Sequence, residues 1–561
     1  MNCKYCSNNL PEGAAACPHC GRAVDPVDKT ESEIIEAVPV EESTKRPWLV
    51  GLGVGILVLV VGGASFALFR NTAPGADFSE RMPADVATYM SLDVGELVSA
   101  ESKAVIGEFG GLVELVSGEE FDIDTAFEDL LEEVEAEIGP DLNYSEDIAS
   151  WASGSIAVGV LMSDDVFEQS GVVWVSGRDE AALAAFLDKM ERLAADEGVV
   201  TSRVTVSGVD FITSDMFDGM LVGQVGPDLL AVTDEALAEV VLALTPETSL
   251  NGAPGFADRI SLLPPNAIVT FAYSGSAFDY GSMFAGTLGY GPGGFGDTGP
   301  GDLPDTGWMV GSFSVENGNI RVDGVSGIDP DLAFEVSSDS PALDELPADD
   351  AIFFARLAGI GQGMEAMAEM FGPEIDAELE SATGLTMGQI LGLLEVDAGL
   401  AVWPSSEPEI PVGAGFVGVG TGDAAPVVDR LNQLLLESGG VVATEVPGGY
   451  LYENLVVFGS RGPLTLISSD RTLLQAAPAV SLTESALYTR ARDLIGSGFV
   501  PSFGADIDGI LRLVDGFVDD PQMLEGFACN PVRFIAGGSR IDGDVARSVA
   551  VIEVEAPATC G

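Results

Sequence analysis

A twelve-residue segment occurs twice in this chain, as MPADVATYMSLD at 82–93 and as LPADDAIFFARL at 346–357. Similar segments follow each copy in the same order, the last ones ending near residues 326 and 555. Repetition of a long unit in this way indicates that one structural unit has been duplicated. We therefore predict two tandem copies of one α+β unit, at 82–335 and 346–556.

Each copy reads as a strand followed by a helix. GVVWVSG (171–177) and GAGFVGVG (413–420) are short apolar runs bounded by glycine, which is typical of strands. Asp179 and Asp423 come next and are candidate N-caps of amphipathic helices. Helical spacing predicts two buried stripes, Leu183, Phe186, Leu187, Met190 and Leu193 in the first copy and Val427, Val428, Leu431, Leu434 and Leu435 in the second.

Glycines mark where these elements end. Gly198 and Gly439 follow the two helices, at the position where a left-handed backbone commonly ends a helix. Asn317-Gly318 lies between two alternating apolar segments and predicts a tight hairpin turn. Hairpins and amphipathic helices together indicate an α+β fold of antiparallel sheets with helices packed on one side.

The charge of the chain is strongly negative, with 24 basic and 89 acidic residues and a net charge of -65. Five of the basic and eight of the acidic residues precede residue 70, so the part beyond carries 19 basic and 81 acidic residues, about -62. Such a field repels nucleic-acid phosphates, so we exclude nucleic acid as a partner of this part. Solubility in a cation-rich exterior or specific cation binding would each explain the charge.

The first 22 residues predict a zinc site. Cys3-x2-Cys6 and Cys17-x2-Cys20 form two knuckles, each able to present two thiolates to one tetrahedral ion, and four sulfur ligands suit structural zinc. His19 lies between two of the ligands and is interpreted as a spacer. This pattern resembles the short zinc-ribbon module at the head of many prokaryotic membrane proteins, which implies a non-catalytic interaction module at residues 1–22.

Residues 23–46 are polar and acidic and predict a flexible linker. An uncharged run of 22 residues follows at 48–69, long enough to span a bilayer, and we predict one transmembrane helix at 47–70. A cleaved signal peptide is the alternative, but the head and the apolar run are both too long for one. Gly51 and Gly55 form a Gly-x-x-x-Gly pair compatible with a homodimer through this helix, although glycine is common in such helices anyway.

The orientation of the chain follows from its charges and cysteines. Lys45 and Arg46 precede the apolar run, which favours a cytoplasmic N-terminus and an extracytoplasmic C-terminal domain. Reduced zinc ligands suit the cytosol, whereas Cys529 and Cys560 would lie outside and could form a disulfide. We therefore predict a single-pass protein of the cell membrane.

The exterior resembles a family of bacterial envelope proteins of unknown function, marked by a Pro-Ala-Asp start that leads into a strand with an aromatic residue. The resemblance covers most of 82–556. It implies an extracytoplasmic location and assigns no catalytic residues.

No catalytic constellation stands out in the sequence. The only histidine is His19, so a Ser-His-Asp triad is excluded from the exterior, and no Gly-x-Ser-x-Gly motif occurs. GYGPGG at 289–294 fits a dinucleotide-binding pattern by letter, but no strand–turn–helix context surrounds it. A carboxylate pair for hydrolysis stays open, and an acid pair repeated in both copies and lining a cleft would favour it.

These observations lead to one functional hypothesis and two alternatives. The hypothesis is a non-catalytic, membrane-anchored envelope protein, with structural zinc in a docking head for an unknown cytosolic protein and an acidic exterior that binds an unknown envelope ligand. The alternatives are an extracellular carboxylate-dependent hydrolase and a purely structural envelope spacer.

Overall fold

The structure is a computed structural model of the 561-residue chain, and it describes residues 78–109, 144–161, 170–196, 198–214, 219–274, 307–327, 339–348, 350–358, 376–407, 410–438, 442–453, 455–515 and 529–555. Antiparallel strands dominate these ranges. We call residues 78–327 the first half and residues 339–555 the second half.

The first half contains ten strands and five helices among its described residues. The strands are β1 Thr88–Asp93, β2 Ala152–Leu161, β3 Ser170–Gly177, β4 Thr201–Val206, β5 Val209–Ser214, β6 Leu221–Val225, β7 Asp228–Val232, β8 Ala267–Tyr273, β9 Met309–Glu316 and β10 Asn319–Gly327. The helices are α1 Val94–Leu97, α2 Ala100–Glu108, α3 Glu180–Asp196, α4 Glu235–Leu242 and α5 Phe256–Ile260.

The second half adds ten strands and four helices whose bounds are given below, and its described residues 376–383 are helical as well. The strands are β11 Phe353–Ala358, β12 Asp397–Glu407, β13 Ile410–Val419, β14 Ala443–Val446, β15 Gly449–Tyr452, β16 Val456–Arg461, β17 Leu464–Ser468, β18 Val500–Asp506, β19 Val532–Asp542 and β20 Val545–Val554. The helices are α6 Met387–Leu391, α7 Ala425–Glu437, α8 Ala486–Ile495 and α9 Ile507–Asp515.

All twenty strands form one antiparallel sheet. The pairings give the order β4-β5-β6-β7-β3-β2-β1-β8-β9-β10 in the first half. The second half has the same order of equivalent strands, β14-β15-β16-β17-β13-β12-β11-β18-β19-β20. Open twisted sheets rarely exceed about ten strands, so each half is already a sheet of full size.

The two halves join edge to edge through β10 and β20, the equivalent last strands. They pair antiparallel from Asn319 opposite Glu553 to Gly327 opposite Val545, with Asp323 opposite Val549 at the centre. A side chain strengthens the joint, because Arg547 Nη2 donates to the carbonyl oxygen of Leu262 at 2.7 Å. The joint therefore resembles a two-fold interface within one chain.

Local sequence explains the strand–turn pattern. Asn317 and Gly318 have φ values of 53° and 77°, which confirms the predicted hairpin turn between β9 and β10. Gly198 follows α3 with φ of 78°, as predicted for a residue that ends a helix. Gly439 lies outside the described residues.

Both faces of the sheet carry helices. In β3, Trp174 lies in the core covered by α4 and α5, whereas the next residue, Val175, lies in the core covered by α3. Successive strand residues point to opposite faces, so α3 packs on one side and α4 and α5 on the other. The stripe of α3 is confirmed, with Leu183 and Phe186 buried. In α7, Val428 is buried, but Leu435 is exposed and was wrongly placed in the stripe.

The Pro-Ala-Asp segments have one structural role in both halves. The Ala84 N–H donates to the Thr248 carbonyl at 3.0 Å, and the Ala348 N–H donates to the Val480 carbonyl at 3.2 Å. Pro83 and Pro347 form isolated antiparallel bridges to Ser249 and Ser481. These contacts hold the start of the first half against the segment before α5, and the start of the second half against the segment before α8.

The second half has one inserted residue relative to the first half in the segment before β11. Ala87 N–H donates to Val160 at 2.8 Å and Ile352 N–H donates to Val402 at 2.9 Å, so Ala87 corresponds to Ile352. Tyr89 therefore corresponds to Phe354, and not to Phe353 as the sequence repeat suggests. The extra residue lies before Ile352, where Asp350 has φ of 56°.

The predicted fold class is wrong. The described residues form one 20-stranded antiparallel sheet with helices on both faces, instead of two α+β repeats with sheets of their own and helices on one side. Within these ranges, no helix has the length and apolar character needed to cross a membrane. The predicted zinc ribbon, linker and transmembrane helix lie outside the described residues.

Candidate functional site

A cleft of about 530 Å³ opens in the second half, beside the first turn of α8 and the first turns of α9. Its apolar lining includes Ile352, Leu487, Leu513 and Phe534. Its charged lining consists of Asp350, Arg490, Asp506 and Arg512. We call this the α8–α9 cleft.

Local structure places each of these groups. Ser485 caps α8 by accepting from the Tyr488 N–H at 3.0 Å, and the helix then carries Leu487 and Arg490 past the cleft. Strand β18 runs directly into α9, so Asp506 and Arg512 lie on two adjoining elements.

Arg490 is held in a fixed orientation. Its Nε and Nη2 both donate to Glu553 Oε2, at 3.0 and 2.6 Å. Its guanidinium carbon lies 4.6 Å from the centre of the Phe534 ring, a distance typical of a cation–π contact. The side chain nevertheless stays 42% exposed, so a rigid guanidinium remains accessible to a ligand.

Arg512 is more open. Its side chain is 72% exposed, and its Nη2 lies 3.6 Å from Asp506 Oδ2, beyond hydrogen-bonding distance. Asp506 itself is anchored to the sheet, because its N–H donates to the Ile352 carbonyl at 2.8 Å. The two groups therefore attract each other without using up the donors of Arg512.

A second, shallower depression adjoins the cleft and shares Ala486 and Arg490 with it. Its other polar residues include Glu484, Thr489 and Asp493. Arg490 therefore stands between two concave surfaces of the second half. Beneath it, burial raises the pKa of the Tyr488 phenol, whose ring lies 5.4 Å from that of Phe354.

Two of the charged groups of this cleft are replaced by other residues at the equivalent positions of the first half. The Leu250 N–H donates to Met82 and the Leu482 N–H donates to Leu346, so positions 232 residues apart correspond in this part of the chain. By that spacing Asp258 stands in place of Arg490, and Ser274 in place of Asp506. The inserted residue of the second half lies between Ala348 and Ile352, in the segment that contains Asp350.

This difference bears on the hydrolase alternative. Asp350 and Asp506 do line one cleft, as a carboxylate mechanism would need. The pair is not repeated in the first half, however, so the duplicated acid pair that would favour this alternative is missing at the equivalent place. The lining combines two exposed guanidiniums with apolar side chains.

The metal and disulfide predictions fall largely outside the described residues. Cys3, Cys6, Cys17 and Cys20, the predicted zinc ligands, lie there, and so does Cys560. Cys529 is disulfide-bonded, and its pairing with Cys560 stays a prediction. Within the described part of the chain, no three His, Cys, Asp or Glu residues are grouped so that they could hold a metal ion. The metal-binding and transmembrane character predicted for the protein is therefore corrected, because the described part of the chain shows neither.

Sequence reasoning missed Arg490 and Arg512. The cleft is assembled from segments near residues 350, 404, 490, 510 and 534, and no local motif joins them. One signal was available, since arginine is scarce in so acidic a chain and each exposed one is worth inspection.

Comparison with known families gives a match over residues 120–445, more than half of the chain. The matching model is described as a protein of unknown function, DUF3352. The chain belongs to the DUF3352 family. The match runs across the junction of the two halves, so it includes strands from both halves.

Other comparisons add little. No curated protein matches the chain. Among solved structures, crystal form I of TP0453 is similar with 11% identity and a TM-score of 0.24, covering 46% of this chain and 80% of that one. Crystal form III of the same protein gives 10% identity and a TM-score of 0.22, covering 46% and 81%. Likeness at this level supports no conclusion about fold or function.

Proposed function

We propose that this DUF3352 protein is a non-catalytic, extracytoplasmic envelope protein that binds a ligand in the α8–α9 cleft. The observation that carries the proposal is the guanidinium of Arg490, oriented by Glu553 and Phe534 yet open to solvent. A group held in place before a ligand arrives binds it at a lower entropic cost.

Two further features support an extracytoplasmic binding role. The disulfide at Cys529 is typical of an oxidising compartment. The net charge of -65 keeps so large a sheet soluble and disfavours nucleic acid as a partner.

The proposal is tested by filling the cleft. Ala486 is exposed and lines both concave surfaces, so Ala486→Trp obstructs them without burying a large side chain in the core. Ala195→Trp, on the exposed side of α3 in the first half, is the matched control. Thermal unfolding of the full chain is followed with cell-wall fragments, short peptides, fatty acids, calcium and magnesium, with potassium chloride as the ionic-strength control.

The wild type and Ala195→Trp should show a saturable rise in Tm with at least one of these components, and Ala486→Trp should show none. A ligand at a hundred times its Kd stabilises the folded state by about 2.7 kcal/mol, which such a scan detects. An equal shift in Ala486→Trp would place binding elsewhere. Conversion of the ligand into a product would contradict the non-catalytic role.

A further inference from the structure

The chemistry of the α8–α9 cleft narrows its ligand class, an inference that rests on the proposed function. A guanidinium has five N–H donors, of which Glu553 uses two on Arg490. Arg512 lies outside hydrogen-bonding distance of Asp506, and within the described ranges no other acceptor takes up its donors. The strongest acceptors for such groups are carboxylate and phosphate oxygens.

The carboxylates at the cleft determine whether it favours a carboxylate or a phosphate ligand. Asp350 and Asp506 line the same cleft and Glu553 contacts Arg490, so three carboxylates surround the two guanidiniums. The remainder of the chain is strongly negative as well. A dianion or polyanion would therefore meet net repulsion, whereas a single negative charge can bind the guanidiniums at close range.

The apolar lining of the cleft indicates the chemistry of the rest of the ligand. Phe534 is fully buried beneath Arg490, and Ile352 and Leu487 are almost fully buried beside it. Leu513, with the small exposed parts of Ile352 and Leu487, gives the cleft an apolar side next to the two arginines. A ligand that covered this surface would gain from removing it from water.

We infer that the cleft binds a monocarboxylate joined to an apolar group, with the carboxylate on Arg490 and Arg512. A fatty acid and the C-terminal carboxylate of a peptide that ends in an apolar residue share this chemistry. Binding requires no change of either arginine's partner, because each has donors to spare.

The test uses the full chain and calorimetric titration with four probes. Decanoate is compared with decanol, and an N-acetylated peptide ending in leucine is compared with the same peptide amidated at its C-terminus. Inorganic phosphate is titrated as the dianion control. We expect at least one carboxylate probe to bind about tenfold more tightly than its neutral partner, since charged hydrogen bonds are worth about 1.5–3 kcal/mol. The tighter of the two carboxylates identifies the source.

Variants locate the carboxylate. Arg512→Gln removes an exposed side chain and should preserve the fold, while the Kd for the carboxylate probe rises about tenfold. Arg203→Gln removes one exposed arginine from β4, the edge strand of the first half, and should leave the Kd unchanged. Arg490→Gln should raise the Kd more than Arg512→Gln does. The Tm of this variant is measured as well, because Arg490 also contacts Phe534 in the core.

The outcomes separate this inference from the proposed function. Equal binding of charged and neutral probes, tight phosphate binding, unaltered binding by Arg512→Gln, or no binding of any carboxylate each overturns the inference. The proposed function survives such a result if another envelope component still shifts Tm in the wild type and not in Ala486→Trp. It fails if the cleft-filling variant responds like the wild type to every component.

Discussion

The two halves of the sheet share their apolar framework and differ in their polar residues. Tyr89, Phe256 and Trp308 form a chain of ring contacts at 6.0 and 5.3 Å in the first half. The equivalent residues of the second half are Phe354, Tyr488 and Phe534, which lie together in its core, with the first two rings 5.4 Å apart. Aromatic residues thus occupy the same three places in both halves.

Polar positions diverged instead. By the hydrogen-bond equivalence, four positions carry different groups in the two halves, namely Ser91 and Arg356, Ser155 and Asp397, Asp258 and Arg490, and Ser274 and Asp506. The second half therefore carries a buried ion pair and a charged cleft on the framework that it shares with the first half. Packing constrains the common core, whereas individual polar groups give each half its own properties.

The largest expected effect comes from the buried pair of the second half. Arg356 Nε donates to Asp397 Oδ1 at 3.0 Å, and the two side chains are 3% and 1% exposed. Arg356→Met should lower the free energy of unfolding by about 3–5 kcal/mol, because it leaves a carboxylate buried without its counter-charge. Urea denaturation of the full chain measures the change.

Two controls sharpen this prediction. Arg203→Met removes an exposed arginine paired with Asp188 and Glu191, and should cost about 0–1 kcal/mol. The double variant Arg356→Ser/Asp397→Ser copies the first half and should be less destabilised than Arg356→Met alone. If the double variant loses more than the single one, the pair contributes more than mutual neutralisation.

Helix capping gives an intermediate effect. Asp179 Oδ1 accepts from the N–H groups of Ala181 and Ala182 at 2.9 and 3.0 Å, as predicted for an N-cap of α3. Asp423 accepts only from Ala425, at 3.2 Å, and Ala424 occupies the cap position of α7.

Asp179→Ala should therefore cost about 1 kcal/mol, and Asp423→Ala about half of that. The shift of the urea midpoint at constant slope measures both. Equal losses would mean that the two aspartates cap their helices equally well in solution.

The smallest effect concerns Glu96 in α1 of the first half. Burial, followed by the nearby charges of Asp93 and Glu101, raises its pKa. A group whose pKa is raised on folding stabilises the protein at low pH, and this contribution is lost as the pH rises through the folded pKa. Glu96→Gln should therefore have a higher Tm than the wild type at neutral pH, with the gap closing as the pH falls below that pKa.

Glu445→Gln, on the edge strand β14 of the second half, removes the same charge without that environment. It controls for the general relief of negative charge. Glu96→Gln should gain more than this control at neutral pH. Equal gains would assign the effect to net charge and not to the site.

Local features were predicted well from the sequence. The Asn317-Gly318 turn, the Asp179 cap and the buried face of α3 each depend on residues close together in the chain, where side-chain chemistry and periodicity act directly. The order of the repeated segments could also be predicted, because it requires only that segments of the chain resemble each other.

The candidate site was not predictable in this way. Asp350 lies in the segment that contains a single inserted residue, which the sequence repeat hides by matching Tyr89 with Phe353. Arg490 and Phe534 meet through the packing of α8 on β19, elements that no local pattern connects.

The sequence by itself determined the duplication, the strand–turn units, the strongly acidic charge and the family of this protein, because these follow from composition, spacing and short-range propensity. Only the tertiary structure decided that the two halves share one sheet and that described residues of the second half form a charged cleft. The joint of β10 with β20 connects residues more than 200 positions apart, and main-chain hydrogen bonds between edge strands leave little trace in the side chains.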